Sequence, residues 1–81
     1  MNMLKKIKKQ DLQVGDYVTH TCAFLDEMSK VVSIVDYFDE VEEEPFKVAH
    51  LENGHKFRLD NGRGINESKG RSIVECERGE I

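Results

Sequence analysis

The stretch Asp11-Leu12-Gln13-Val14-Gly15-Asp16-Tyr17-Val18 joins a glycine turn to the start of an alternating apolar run. Gly15 has no Cβ, so it suits a turn whose backbone angles would strain any other residue. The short carboxylate of Asp16 can accept hydrogen bonds from nearby backbone amides and so stabilise the turn. Tyr17 and Val18 are residue types that favour strands. The stretch therefore predicts a turn that leads into the first strand of a small β-barrel.

Alternation with a period of two continues beyond this turn and predicts a strand over residues 17–24. One face of that strand would carry Val18, His20, Cys22 and Phe24. The stretch Asp26-Glu27-Met28-Ser29 predicts a turn. Runs rich in β-branched and aromatic residues predict four more strands, over residues 30–38, 46–51, 55–59 and 71–76. Asn53-Gly54 stands between two of these runs and predicts a type I′ hairpin, in which both central residues have positive φ.

The chain is short enough to be one domain over residues 1–81, because 81 residues bury only a thin core. Residues 1–10 are predicted to be a flexible basic N-terminal segment of that domain. Within it, Met3, Leu4 and Ile7 are spaced among lysines. That spacing is compatible with one helical turn or with a leading edge strand, and the sequence alone does not choose between them.

Five short antiparallel strands joined by turns and one longer acidic loop predict an all-β fold, with a bent sheet closed into a small barrel. The phrase Leu12-Gln13-Val14-Gly15-Asp16-Tyr17-Val18 and the number of strands resemble the SH3-like barrels. The resemblance implies architecture and carries over no functional residues. In size and charge the chain is also similar to small accessory proteins of bacteriophages and mobile elements, some of which inhibit host enzymes or defence complexes.

The net charge of −4 conceals a strong segregation of charge along the chain. Residues 36–44 contain six acidic residues and no basic one. Residues 1–10 contain four lysines and no acidic residue, and residues 56–71 are predominantly basic. Such blocks of like charge are typical of solvated loops and of interaction surfaces. Sequence alone does not show whether the two basic segments meet in the fold.

The acidic block favours a protein-binding function. A row of carboxylates on a rigid scaffold can occupy a basic groove of a partner and can accelerate association through electrostatic steering. The alternative is a solvated connection with no function of its own. The residues predicted to bind the partner are Asp39, Glu40, Glu42, Glu43 and Glu44.

The basic segments favour an alternative function, an RNA- or DNA-binding regulatory barrel that neutralises phosphates. Aromatic side chains for base stacking are few, namely Tyr17, Phe46 and Phe57, and the last two flank the predicted hairpin as core residues would. The net acidic charge also opposes non-specific binding. The residues that would contact nucleic acid are Lys5, Lys6, Lys8, Lys9, Arg58, Arg63, Lys69 and Arg71.

The sequence contains no arrangement of residues that predicts an enzyme, a cofactor or a metal. Nucleophilic catalysis needs an adjacent base, and neither that pairing nor a phosphate-binding glycine loop is present. His20-x-Cys22 with His50, His55 and Cys76 would be a possible zinc ligand set, although its spacing is not typical of zinc sites. The simpler alternative places both cysteines in the core, His20 at its margin and His55 in solvent.

The two cysteines and the absence of an apolar run predict a cytoplasmic protein. No stretch of 18 apolar residues and no signal peptide is present, which predicts that the chain does not bind a membrane. In a reducing compartment Cys22 and Cys76 are expected to be thiols. A disulfide between them is the alternative, and it would require their strands to be neighbours.

Overall fold

The structure is a computed structural model that describes residues 3–23 and 25–80. Strands dominate this part of the chain, and short 3-10 turns at Lys9–Asp11 and Asn66–Ser68 interrupt them. Phe24, which the sequence places on the core face of the first strand, lies outside the described residues. The strands are β1 (Met3–Ile7), β2 (Tyr17–Cys22), β3 (Leu25–Asp39), β4 (Glu44–Leu51), β5 (Lys56–Arg58) and β6 (Ser72–Glu80).

All neighbouring strands are antiparallel and form one six-stranded sheet in the order β1-β6-β2-β3-β4-β5. The all-β class is therefore confirmed. The sheet is not closed, so the five-stranded barrel predicted from the sequence differs from the structure in strand number and in closure. Two isolated bridges, Phe57 to Gly64 and Arg63 to Ser72, connect the short β5 edge back toward β6. The sheet therefore curves toward closure without a continuous ladder.

The long strand β3 carries an irregularity that contributes to this curvature. Its first part pairs with β2 and its second part pairs with β4, and the register shifts between Val31 and Ser33. A bulge of this kind bends a strand and increases its twist. The turn predicted over residues 26–29 is wrong, because these residues lie in β3 and pair with β2. Pairing between β2 and β3 begins at Cys22 and Leu25, so residues 26–29 lie within the strand of this hairpin and do not form its turn.

The N-terminal residues form an edge strand, the second of the two alternatives left by the sequence. Met3–Ile7 pair along their length with the end of β6, although the sequence places them in a flexible segment. This partner extends β6 to Glu80, beyond the end predicted at residue 76. Lysines on an exposed edge discourage pairing with other chains, which suits the outer position of β1.

The core is small and lies under the bend of β3. Alternation along β2 buries Val18 and His20, as the period of two predicts. His20 is completely buried and not at the margin of the core, because it shares the inward face with Val18. The apolar residues that form the core cluster are Leu12, Val18, Val31, Ala49, Leu51, Phe57, Leu59 and Cys76.

The hairpin at Asn53-Gly54 is confirmed, but its turn type is not I′. Ala49 pairs with Phe57 and His50 with Lys56, and the Leu51 amide donates to the His55 carbonyl at 2.9 Å, which leaves a three-residue loop over residues 52–54. The Gly54 amide donates to the Leu51 carbonyl at 2.9 Å, and of the loop residues only Gly54 has a positive φ, at 92°. This is the type I turn with a following left-handed glycine that three-residue hairpin loops favour.

Candidate docking surface

The acidic residues predicted to bind a partner lie at the free end of the β3–β4 hairpin. Asp39 ends β3, residues 40–43 form the turn, and Glu44 begins β4 opposite Asp39. Apart from half-buried Asp39, the side chains from Phe38 to Pro45 are exposed. Glu40, Glu42, Glu43 and Glu44 are exposed and form no salt bridge within the described residues.

Asp39 differs from the other acidic residues because its carboxylate organises the turn. Its Oδ1 accepts hydrogen bonds from the Val41 amide at 2.9 Å and from the Glu42 amide at 3.2 Å. This is the local bonding by which an aspartate side chain stabilises a turn. Asp39 is half-buried, and its Oδ2 lies 3.8 Å from Nη1 of Arg58. We call residues 39–44 the acidic tip. Asp39 therefore shapes the acidic tip, and the four glutamates supply its free charge.

Arg58 holds the acidic hairpin against the end of β5. Its guanidinium lies over the Phe46 ring, 3.9 Å from the ring centroid, and donates to both carboxylate oxygens of Asp60. The hydrogen bond to Asp60, opposed by partial burial and reinforced by nearby carboxylates, raises the pKa of Arg58 above its ordinary value. Stacking on an aromatic ring and bidentate pairing are contacts that lysine does not reproduce. The Arg58 guanidinium is therefore occupied by contacts within the protein.

The structure places Lys9, from the first basic segment, beside the loop that carries part of the second. Lys9 extends over Gly62, where a Cβ would lie 3.6 Å from the lysine Cδ. Beside it, the loop that precedes β6 forms a concavity that three further cations line. We call this set the basic face, and it consists of Lys9, Arg63, Lys69 and Arg71. Arg71 is only partly free, because its Nη1 lies 3.9 Å from Glu27 Oε1.

The other predicted nucleic-acid contacts lie outside the basic face. Lys5 and Lys6 belong to the edge strand β1, and Lys8 follows it. The Lys6 ammonium lies 2.8 Å from Glu75 Oε1, and hydrogen bonding to Glu75 raises the pKa of Lys6. The Arg58 guanidinium is occupied by its contacts with Phe46, Asp60 and Asp39 at the acidic hairpin. The eight residues predicted to bind nucleic acid therefore do not form one surface.

The candidate zinc ligands do not converge. Among the described residues no group of three or more histidine, cysteine, aspartate or glutamate side chains could hold a metal ion. The ring centroids of His20 and His55 are 5.0 Å apart, but Cys76 pairs with Val18 instead of Cys22 across the sheet. Both cysteines are free, which contradicts the disulfide alternative. Burial raises the pKa of the Cys76 thiol to about 11, so this thiol is not a nucleophile near neutral pH.

Two exposed apolar side chains beside the acidic tip were not selected from the sequence. Val41 is 93% exposed between Glu40 and Glu42, and Phe38 is 62% exposed one residue before Asp39. Large apolar side chains next to a charged surface are typical of binding sites when they lie close together. The signal was present as a valine within an acidic run. Without the hairpin geometry, Phe38 reads as an ordinary strand residue.

Comparison of the chain with protein-family models, curated proteins and solved structures produced no match. Within residues 3–23 and 25–80, no helix has the length and apolar character that crossing a membrane requires. The fold and the surface geometry therefore carry the functional argument. The protein is a small antiparallel β-domain that carries an acidic hairpin tip and a basic face.

Proposed function

We propose that the protein is a non-enzymatic binding module that docks onto a partner protein through the acidic hairpin tip. The observation that carries the proposal is the contrast within the acidic run. Asp39 and Arg58 fix the shape of the tip, while four neighbouring glutamates remain exposed and unpaired within the described residues. Because clustered like charges repel one another, this arrangement does not stabilise the fold. Attraction of a basic partner surface gives it a role.

The proposal extends to architecture and biological setting. We propose that this open, curved sheet has an SH3-like architecture, supported by the glycine turn at Gly15 and by the two bridges that lead β5 back toward β6. We further propose that it acts in the cytoplasm as a phage-type inhibitor or modulator of a host protein complex. The free thiols of Cys22 and Cys76 suit a reducing compartment. Inhibition would follow from occupation of a basic groove that normally receives phosphates.

The test begins with capture of the partner on tagged protein and its identification by mass spectrometry. Association and dissociation rates are then measured for wild type and for the triple variant Glu42→Gln, Glu43→Gln, Glu44→Gln. We expect slower association with little change in dissociation, because steering charges act mainly on the association rate constant. The difference in association rate between variant and wild type should be larger at low ionic strength. Thermal stability should be unchanged or slightly higher, because the variant removes repulsion between exposed groups.

A matched control removes three carboxylates from other surfaces. None of the three belongs to a salt bridge within the described part of the chain, so the control has the same net charge without altering the tip. Equal association rates for the two triple variants would show that net charge and not the hairpin tip governs binding. The control substitutions are Asp26→Asn, Glu52→Gln and Glu77→Gln.

A second candidate function is nucleic-acid binding through the basic face, supported by the packing of Lys9 beside the loop that holds Arg63, Lys69 and Arg71. Under this alternative, Arg63→Ala with Arg71→Ala weakens binding to a generic oligonucleotide, and affinity falls steeply with salt. Lys30→Ala with Lys47→Ala is the matched control. We expect no such binding. A salt-dependent Kd below about 1 μM at physiological ionic strength would replace the protein-partner proposal, because non-specific contacts are typically weaker.

A further inference from the structure

The core side of the β3–β4 hairpin continues beyond the core. Cross-strand pairs on this side run from Ile34 with Ala49, through Asp36 with Lys47, to Phe38 with Pro45. The first pair packs in or against the core, whereas Phe38 at the far end is 62% exposed. Strand β5 pairs with residues 48–50 of β4, and the Leu59 amide donates to the Lys47 carbonyl at 3.0 Å, so this neighbour ends before it reaches Pro45. Beyond this point the edge of β4 is unpaired, and Phe38 and Pro45 on the core side of the hairpin are exposed.

A groove of about 560 Å³ lies on this extension. Its apolar lining comes from Pro45, Phe46 and Leu59, and Leu59 is 6% exposed and belongs to the core. Phe38 lies opposite Pro45 on the same side of the hairpin and lengthens the apolar surface. The position of proline is consistent with a missing neighbour, because proline cannot donate to a ladder and is tolerated where no strand pairs beside it.

The charges around the groove select the kind of partner. Of the carboxylates in the lining, Glu44 forms no salt bridge within the described residues, whereas Asp36 is paired with Lys47 and Asp60 with Arg58. The exposed glutamates of the acidic tip lie directly beyond Glu44. A nucleic acid would bring phosphates against these carboxylates, and a second copy of this chain carries a net charge of −4. Both occupants are disfavoured by repulsion, whereas a cationic segment is attracted.

We propose that this groove receives a basic segment of the partner protein that inserts one apolar side chain between Phe38, Pro45 and Leu59. Flanking lysine or arginine residues of the segment pair with Glu44 and with the acidic tip. The inference rests on the proposed protein-binding function and assigns the contact that holds the partner after steering has delivered it. Burial of an apolar anchor inside a charged rim is the usual division of labour in protein interfaces.

The probe is a twelve-residue peptide of lysine, arginine and glycine with one central leucine, compared with the same peptide carrying serine instead. Amide chemical shifts of the protein are followed during titration at low ionic strength. We expect the leucine peptide to shift the signals of Phe38, Lys47 and Leu59, and to bind roughly tenfold more tightly than the serine peptide. Equal affinity of the two peptides would overturn the groove assignment, because charge alone would then explain binding.

Phe38→Ser and Met28→Ser form a matched pair of variants. Both residues are exposed on β3, Met28 to 54%, but Met28 pairs with Thr19 on the other hairpin. We expect Phe38→Ser to reduce the advantage of the leucine peptide over the serine peptide by roughly fivefold, and Met28→Ser to leave that advantage unchanged. Equal effects of the two variants would overturn the inference. Thermal unfolding of both variants verifies that the fold persists.

Two further measurements address the other occupants and separate this inference from the proposed function. Sedimentation of the wild type should show a monomer, and a dimer that Phe38→Ser dissociates would assign the groove to a second copy. A polyuridine probe should leave Phe38 and Leu59 unshifted, and shifts there would overturn the inference. If the triple glutamine variant slows association with the captured partner while Phe38→Ser leaves Kd unchanged, the acidic tip remains the docking site and the groove does not. If neither variant alters binding, both proposals fail.

Discussion

Arg78 Nε donates to Asp16 Oδ1 at 2.8 Å and thereby joins two residues that are 62 positions apart in the chain. Arg78 Nη2 also donates to Asp16 Oδ2 at 2.9 Å and to the Asp11 carbonyl at 3.0 Å. The Gln13 amide donates to the same carboxylate at 2.7 Å. Asp16 therefore closes the glycine turn and holds the end of β6 against it.

Arg78→Gln should clearly lower the urea concentration at the midpoint of unfolding, because it leaves the buried Asp16 carboxylate without its guanidinium. Burial alone would raise the pKa of Asp16, but the hydrogen bonds from Arg78 and Gln13 and the charge of Arg78 together lower it. The depressed pKa contributes stability that is present above about pH 4 and is lost on further acidification. Urea denaturation at pH 7 and pH 3 should therefore show a difference between wild type and variant that shrinks at the lower pH.

Lys6→Gln serves as the control for this pair, since the Lys6–Glu75 ion pair is exposed at the lysine. Exposed pairs contribute little, so this variant should unfold at nearly the same urea concentration as wild type. A comparable loss in the two variants would show that Arg78 contributes as an ordinary surface charge. The turn at Gly15 would then be stabilised by its backbone contacts alone.

His20 forms a buried polar cluster under the β4–β5 turn. Its Nε2 lies 3.1 Å from Asn53 Nδ2, and because Asn53 Oδ1 accepts from the His55 amide, the Asn53 amide donates to His20. The neutral ring then carries its hydrogen on Nδ1, which has no partner in the described structure. The ring packs against His55 and Phe57. A protonated ring would therefore be buried with no acceptor.

Acidification below about pH 6.5 should destabilise the protein through His20. Burial, with the nearby charges of His55 and Arg71 opposed by Glu27, lowers the pKa of His20. The unfolded chain then binds a proton that the folded chain does not, so the free energy of unfolding falls with decreasing pH, by at most about 1.4 kcal/mol per pH unit for this group. Denaturation between pH 7.5 and pH 5 measures the slope.

His20→Phe should flatten this slope, because phenylalanine keeps the ring contacts and has no titrating nitrogen. His50→Gln is the control. His50 lies between the core residues Ala49 and Leu51 on β4 and therefore faces the other way, with Nε2 3.2 Å from the Tyr37 hydroxyl. An unaltered slope in His20→Phe would locate the acid sensitivity elsewhere. His55, whose Nδ1 lies 2.9 Å from Ser68 Oγ, would be the next residue to replace.

The turn at Gly54 is sensitive to any side chain that disfavours positive φ. No atom lies within 4 Å of a Cβ built on Gly54, so the cost of Gly54→Val comes from the backbone at φ 92° and not from a clash. The variant should lose more than about 1 kcal/mol of unfolding free energy. Gly79→Val is the control, because Gly79 has equally open surroundings in β6 and no positive φ. Equal denaturation midpoints for the two variants would contradict this account.

Local features of the sequence were sufficient for the parts of the fold that depend on local physics. The turn at Gly15, the burial of Val18 and the hairpin at Asn53-Gly54 follow from residue types and from the period of two. The turn type differed because it depends on which carbonyl the Gly54 amide reaches. The buried His20 was misplaced because histidine is a residue that occurs both in cores and on surfaces.

Features that depend on distant pairing could not be predicted in the same way. Residues 26–29 favour a turn locally, but pairing with β2 keeps them in a strand. The extension of β6 to Glu80 requires β1 as its neighbour, and the Asp16–Arg78 contact requires both ends of the chain. The acidic block was visible in the sequence. Its division into a turn-forming Asp39 and free glutamates depends on backbone amides that only the folded hairpin aligns.

Arg58 and Arg63 provide the last test, because both were predicted to contact nucleic acid, while the structure separates them. Arg58 stacks on Phe46 and donates to both carboxylate oxygens of Asp60. Arg63 is exposed and forms no salt bridge within the described residues. Arg58→Met should lower the free energy of unfolding by about 1–2 kcal/mol, through loss of stacking and of a bidentate pair that are partly shielded from water.

Arg63→Met should change stability by less than about 0.5 kcal/mol, as is usual for an exposed residue without specific contacts. Hydrogen exchange locates the effect, because loss of the Arg58 contacts should accelerate exchange at the amides of Val41 and Glu42, which depend on the Asp39 carboxylate that Arg58 faces. Unchanged exchange at these amides in Arg58→Met would mean that Asp39 orders the acidic tip unaided. The rigid presentation of the glutamates would then not depend on Arg58.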